Sequence, residues 1–266
     1  MKRLVIYSTA IAMMIAWILV GFSQEHSPTD PRSQTEPTAS TQSPSSTNEQ
    51  LDTPEVPCLT PTEGTKAWGI PQFFWRNKHE FRVRFLDGEQ VCQERVKQAI
   101  KAWSDAANIK FIYVTDGDSD IRISFKGKGH WSKVGTTARS VPRDRQTMNI
   151  QLTPQHPQNE FDRVARHEFG HALGLMHEHQ HPHGQIQWNK PVVYAAYAQA
   201  PNFWDKQTVD EQVFATYEGP FTGTAPDPHS IMMYPIVRGW TTNGLTVGWN
   251  RELSDLDKQF IKQKYP

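Results

Sequence analysis

The stretch HEFGHALGLMH, residues 167–177, constrains this chain more than any other part of it. It lies inside RVARHEFGHALGLMHEHQHP, residues 163–182, which holds five histidines. Helical residues four apart share a face, so His167 and His171 point the same way and can grip one ion. Zinc accepts neutral imidazole nitrogens, and two such rings make half of a tetrahedral site. Glu168 sits on an adjoining face. From there it reaches a zinc-bound water without binding the zinc, takes the water's proton, and later gives it to a leaving amine. Gly174 ends the helix, because glycine tolerates a left-handed backbone. The chain then swings round and His177 supplies the third ring. Three protein ligands leave a position open for water, the mark of a catalytic zinc rather than a structural one. The competing reading is a solvated helix end with incidental histidines. The added glycine and third histidine at fixed spacing argue against it. His179, His181 and His183 follow with no helical spacing and read as surface or secondary hydrogen-bonding residues, with His179 as the rival third ligand.

The rest of the chain supplies a scaffold for such a helix. Residues 81–86 (FRVRFL) alternate apolar and basic, as a half-buried strand does. Val96, Ala99, Ile100, Trp103 and Ala107 recur at helical steps and predict an amphipathic helix. Residues 109–114, 120–125 and 147–152 read as further strands, and 133–141 as a weaker one. The zinc-motif helix starts near Glu160 with Asn159 as its cap and runs to Leu173. After Gly174 the periodicity dissolves. Only residues 192–200 and 255–264 look helical there, the second capped by Ser254. The fold class is therefore α+β.

The first 23 residues begin with Lys2 and Arg3 and continue with an apolar run over residues 4–22. They read as a signal peptide cut before Gln24, or as an uncleaved membrane anchor. Either reading places the remainder outside the cytosol, secreted or periplasmic, with membrane contact only if the segment stays attached. Residues 24–57 are rich in Ser, Thr and Pro and too poor in apolar side chains to offset ordering, so a disordered linker is expected. The folded domain then spans residues 58–266. In an oxidising compartment a disulfide between Cys58 and Cys92 is expected. The alternatives are two free thiols, or a latency role for Cys58. Basic and acidic residues both number 28, which argues against a nucleic-acid partner.

The zinc string resembles that of the metzincin zinc peptidases, and HEFGHALGLMHEH is most similar to the astacin family. Glu178 matches the glutamate that follows the third ligand in that family. HSIMMYP resembles the family's Met-turn, which implies that Met232 lies beneath the metal and that Tyr234 is the switch tyrosine that steadies the tetrahedral intermediate. The likeness is strong over about residues 160–235 and only topological over 58–159. It implies a zincin fold: an upper subdomain with a twisted mixed sheet and two long helices, and an irregular lower subdomain with a C-terminal helix. It also implies one catalytic zinc, a protein or peptide substrate added as a strand near residues 133–141, and a monomer. Met233 stands where animal members carry histidine, their extra cysteines are absent, and residues 24–57 lack an FxGD-type aspartate. The expected activity is that of a zinc endopeptidase. The competing readings are an extracytoplasmic binding module with a structural zinc, and a zinc hydrolase of non-peptide bonds.

Overall fold

The computed structural model describes residues 67–200, 202–223 and 225–266. The readings of residues 1–57 as leader and linker lie outside the described residues. Five strands form one mixed sheet: β1 (Glu80–Phe85), β2 (Lys110–Tyr113), β3 (Ile121–Ser124), β4 (His130–Ser132) and β5 (Met148–Ile150). Their order is β2-β1-β3-β5-β4, parallel except for β4, which runs antiparallel to β5 at one edge. The α+β architecture and the two long helices follow the sequence reading.

Burial explains the strand patterns. In β1, Phe81 and Val83 are fully buried while Glu80 and Arg82 face solvent. Every residue of β3 is buried, as expected of an interior strand covered on both faces. Its Arg122 is only 4% exposed. It survives there because its guanidinium donates to the carbonyls of Ser119, Val141 and Arg145, which offsets the cost of burying a charge.

Helix α1 (Gln90–Ala106) turns Cys92, Val96, Ala99, Ile100 and Trp103 inward. Helix α2 (Gln158–Ala172) packs against it, and the Trp103 Nε1–H donates to Arg166 O at 3.0 Å. Phe161 and Phe169 of α2 are fully buried in the same core; side chains of this kind contribute about 1.5–3 kcal/mol each. Pro157, not Asn159, stands at the cap position of α2. Proline's fixed φ suits a helix start, so the helix begins before the asparagine.

Residues 133–141 are not a strand. The edge strand lies just before them, and Gly135–Ser140 winds as a 3-10 turn. Two hydroxyls explain this: Thr137 Oγ1 donates to Val134 O at 2.7 Å and Ser140 Oγ to Thr137 O at 2.8 Å. Such local bonds compete with ladder pairing. Beyond α2 come the short helices α3 (Lys190–Tyr197) and α4 (Lys206–Val209), then the C-terminal α5 (Asp255–Lys264). Helix α3 starts two residues earlier than expected because Pro191 sits in its first turn and stops at Tyr197 rather than residue 200. Ser254 caps α5 as anticipated, in a full capping box with Asp257. Cys92 is buried on α1, and Cys58, its partner in the disulfide reading, lies outside the described residues. Among the described residues no helix is long and apolar enough to cross a membrane.

Candidate metal centre

Helix α2 carries His167 and His171 on one face, as their spacing requires. It ends in a Schellman arrangement. Gly174, at φ +108°, donates its N–H to His171 O at 2.8 Å, and Leu175 donates to Gly170 O at 3.0 Å. That reversal brings the third histidine back. One ring nitrogen from each of His167, His171 and His177 lies within 4.8 Å of the other two. His179 is not in this group; its Nε2 faces Gln212 O at 3.0 Å.

The rings are oriented by backbone carbonyls. Nδ1 of His167 is 2.8 Å from Ile231 O, and Nδ1 of His171 is 2.9 Å from Leu175 O. A carbonyl can only accept, so each Nδ1 carries the proton and each Nε2 offers a lone pair. His171 Nε2 and His177 Nε2 are 3.0 Å apart. Zn–N bonds of about 2.0–2.1 Å at a tetrahedral angle set two ligand nitrogens about 3.3 Å apart. The donor set therefore fits zinc. Burial holds the protonated form of all three rings down: His171 falls to about 4, and His167 and His177 lie well below 6.5. Neutral rings are the form that binds metal.

Glu168 follows the first ligand and is 4% exposed. Its Oε2 has no hydrogen-bond partner in the structure. Burial raises its pKa well above 4.5, opposed by the attraction of Arg163. A buried carboxylate oxygen with no partner, one residue from a metal ligand, is a polar group that awaits something polar.

Residues 230–234 run beside these rings, with Ile231 O at His167 and Tyr234 against His177. The Met232 side chain is fully buried. Its sulfur lies so close to Gly170 that a β-carbon there would approach it to 2.4 Å. The α2 helix thus needs glycine between its two ligands. Tyr234 packs its ring 4.4 Å from that of His177 and 4.3 Å from that of His179. Burial, and then the nearby Tyr197 and Glu168, push its hydroxyl well above 10.

Several residues that hold this centre were not singled out from the sequence. Asp257 of α5 accepts from Ser230 Oγ at 2.7 Å and from the Ile231 N–H at 2.8 Å, so it anchors the residue whose carbonyl orients His167. Trp68 Nε1 donates to His177 O at 3.0 Å. Glu178, which the family resemblance does single out, accepts the Asp227 N–H on Oε1 at 2.8 Å and donates its own N–H to Met232 O at 3.0 Å. The Ser254-x-x-Asp257 spacing was a readable capping-box signal; its reach to Ile231 was not. Of the surface or hydrogen-bonding histidines, His179 is buried and bonded to Gln212 O, His181 is buried against Phe221, and His183 is exposed.

The family model Astacin (Peptidase family M12A) matches residues 71–266. A solved structure of myroilysin is 43% identical, with a TM-score of 0.72, over 75% of this chain and 98% of that one. A second myroilysin structure is 42% identical with a TM-score of 0.57, over 74% of this chain and 87% of that one. Human matrix metalloproteinase-20 is 34% identical over 96 residues, 31% of this chain and 20% of the relative. Human matrix metalloproteinase-17 is 26% identical over 204 residues, 66% of this chain and 34% of the relative. The chain thus spans a fifth to a third of the length of these human relatives.

Proposed function

The chain belongs to the astacin family, peptidase family M12A, whose metal is zinc, and on that premise we propose that it is an extracytoplasmic zinc endopeptidase. The observation that carries this reading is the convergence of three imidazole nitrogens beside the partnerless Oε2 of Glu168. His167, His171 and His177 hold the ion, Glu168 is the general base and acid, Met232 is the support beneath, and Tyr234 is the oxyanion partner. Zinc held there supplies Lewis acidity and makes water acidic enough to act as a nucleophile near neutral pH.

The remaining work falls to the chain's own groups. The outer edge of β4 pairs with an extended substrate, because among the described residues β4 is an edge strand paired with β5 alone. Glu168 Oε2 accepts the proton of the attacking water and delivers it to the leaving amine. The Tyr234 hydroxyl keeps its proton, as burial favours, and donates a hydrogen bond to the carbonyl oxygen as negative charge develops on it. The apolar run over residues 4–22 supports export of the domain.

Glu168→Gln tests the assignment. It should bind zinc in the same ratio as the wild type and lose about 10²–10⁴-fold in kcat on a fluorogenic peptide. Retained cleavage would remove Glu168 from the chemistry. A wild-type protein that binds zinc but cleaves no peptide would favour the binding module with a structural metal.

A further inference from the structure

We infer that a cationic cleft at one end of the sheet is an exosite for acidic polypeptide, engaging substrate residues upstream of the scissile bond. The inference rests on the endopeptidase reading above. The cleft has a volume of about 720 Å³ and contains none of the metal-centre residues. Six cationic side chains line it, Arg76, Lys78, Arg82, Arg122, Arg139 and Arg143, against three carboxylates.

Those carboxylates are already engaged. Asp118 pairs with Arg143, Asp120 with His79 at 3.1 Å, and Glu80 with Lys110 at 2.6 Å. Arg122 is spent on backbone carbonyls, and Arg82 Nε donates to Asp118 O at 2.7 Å. Among the described residues, Arg76 and Lys78 have no hydrogen-bond or ion-pair partner for their side chains. Arg139 lies over the Trp75 ring at 4.9 Å. Trp75 also carries stacked His79 at 4.6 Å, and its Nε1 donates to Ala172 O, the last residue of the metal-binding helix. The cleft therefore keeps uncommitted positive charge on a floor bonded to α2. Cations grouped in a concave site concentrate the field and draw in anionic partners.

Sheet direction says which part of a substrate arrives there. Ser132, the last residue of β4, lies opposite Met148, the first of β5. Strands β5, β3 and β1 are parallel. The C-terminal end of β4 is thus at the same end of the sheet as the starts of β1 and β3, which line the cleft, and the chain leaving β4 lines it too through Ala138, Arg139 and Val141. A peptide pairing antiparallel to β4, the more stable ladder, leads its N-terminal part towards this end. An Asp/Glu run several residues before the cut bond would meet Arg76, Lys78 and Arg139.

The test uses the zinc-loaded full chain and three peptides with one common cleavable core. One has an upstream tetra-glutamate extension, one an upstream tetra-glutamine extension, and one the glutamates downstream. At low ionic strength the upstream glutamates should raise kcat/KM about tenfold over glutamine, the low end of electrostatic steering. The gain should shrink in 0.5 M salt, where the Debye length falls to about 4 Å. It should fall to about one in the triple variant Arg76→Gln, Lys78→Gln, Arg139→Gln, each ratio being taken within one protein. No gain in the wild type, an equal gain from downstream glutamates, or a gain that survives the triple variant overturns the exosite. Binding of the labelled acidic peptide to Glu168→Gln, followed by fluorescence anisotropy, separates this from a failure of the peptidase reading. Loss of that binding in the combined variant supports the exosite even if no peptide is cut; equal binding of the two upstream peptides, or capture of a sulfated oligosaccharide alone, overturns it.

Discussion

The region from β1 to the end of α2 and the region from Gly174 to Asn250 hold themselves together differently. In the first, backbone groups pair in ladders and helical turns, and apolar side chains such as Val83, Ile123 and Phe169 are fully buried between the elements. In the second, two short α-helices, a 3-10 turn and a π-helical turn are the helical elements. Buried carboxylates take over: Asp257, Glu178 and Asp227 accept backbone N–H groups that no ladder serves. The metal centre lies across the seam, with two ligands on the regular helix and one on the irregular chain. Where the backbone cannot satisfy itself, polar side chains must do so, because an unpaired buried group costs about 1–3 kcal/mol. The lower region should therefore depend on its metal and its carboxylates more than the upper one does.

Metal removal strains that contrast most. A ligand that binds only the folded state adds about 4 kcal/mol at a free concentration of about a thousand times Kd. Chelation should lower the melting temperature. It should also strip hydrogen-exchange protection from residues 174–235 before it does so in β1, β3 or α1. Uniform loss of protection would mean that the two regions open as one.

Asp257 comes next. Asp257→Ala leaves Ser230 Oγ, the Ile231 N–H and the Ser254 N–H without their acceptor, a loss of about 2–3 kcal/mol in urea unfolding. Zinc affinity should weaken too, since Ile231, whose carbonyl orients His167, loses its anchor. Unchanged zinc affinity would confine Asp257 to stability alone.

The same carboxyl predicts a pH effect. Burial raises its pKa from 3.8 to about 6, against the pull of its hydrogen-bond donors. The folded protein keeps that proton up to about pH 6, whereas an unfolded chain releases it near 3.8. Its contribution to stability is thus complete below about pH 4 and is lost as pH rises to about 6. In Asp257→Asn, unfolding free energy should lose this downward component between pH 4 and 6; an identical slope in both proteins would rule it out.

The smallest effect belongs to Ser254. Its hydroxyl accepts the Asp257 N–H at 2.9 Å and donates to Asp227 at 2.7 Å. Ser254→Ala should cost about 1 kcal/mol, typical of a lost N-cap. If it costs as much as Asp257→Ala, the cap rather than the carboxylate holds residues 230–231 in place.

The local parts of this protein were legible in its residues. The spacing of His167 and His171, the breaker Gly174 and the return of His177 are short-range facts, and a helix with 3.6 residues per turn converts them into a shared face without help from the rest of the chain. The alternation in β1 and the apolar steps of α1 are legible for the same reason. Asn159 and residues 133–141 depart from the sequence reading where competing local bonds or distant packing outweigh propensity. The partners that orient the ligands are a different matter. Ile231 O is 64 residues from His167, Trp68 is 109 from His177, and Asp257 is 26 from Ile231. No periodicity links positions so far apart. Only tertiary packing, which closes those loops to bury the core and pair its polar groups, decides that they meet.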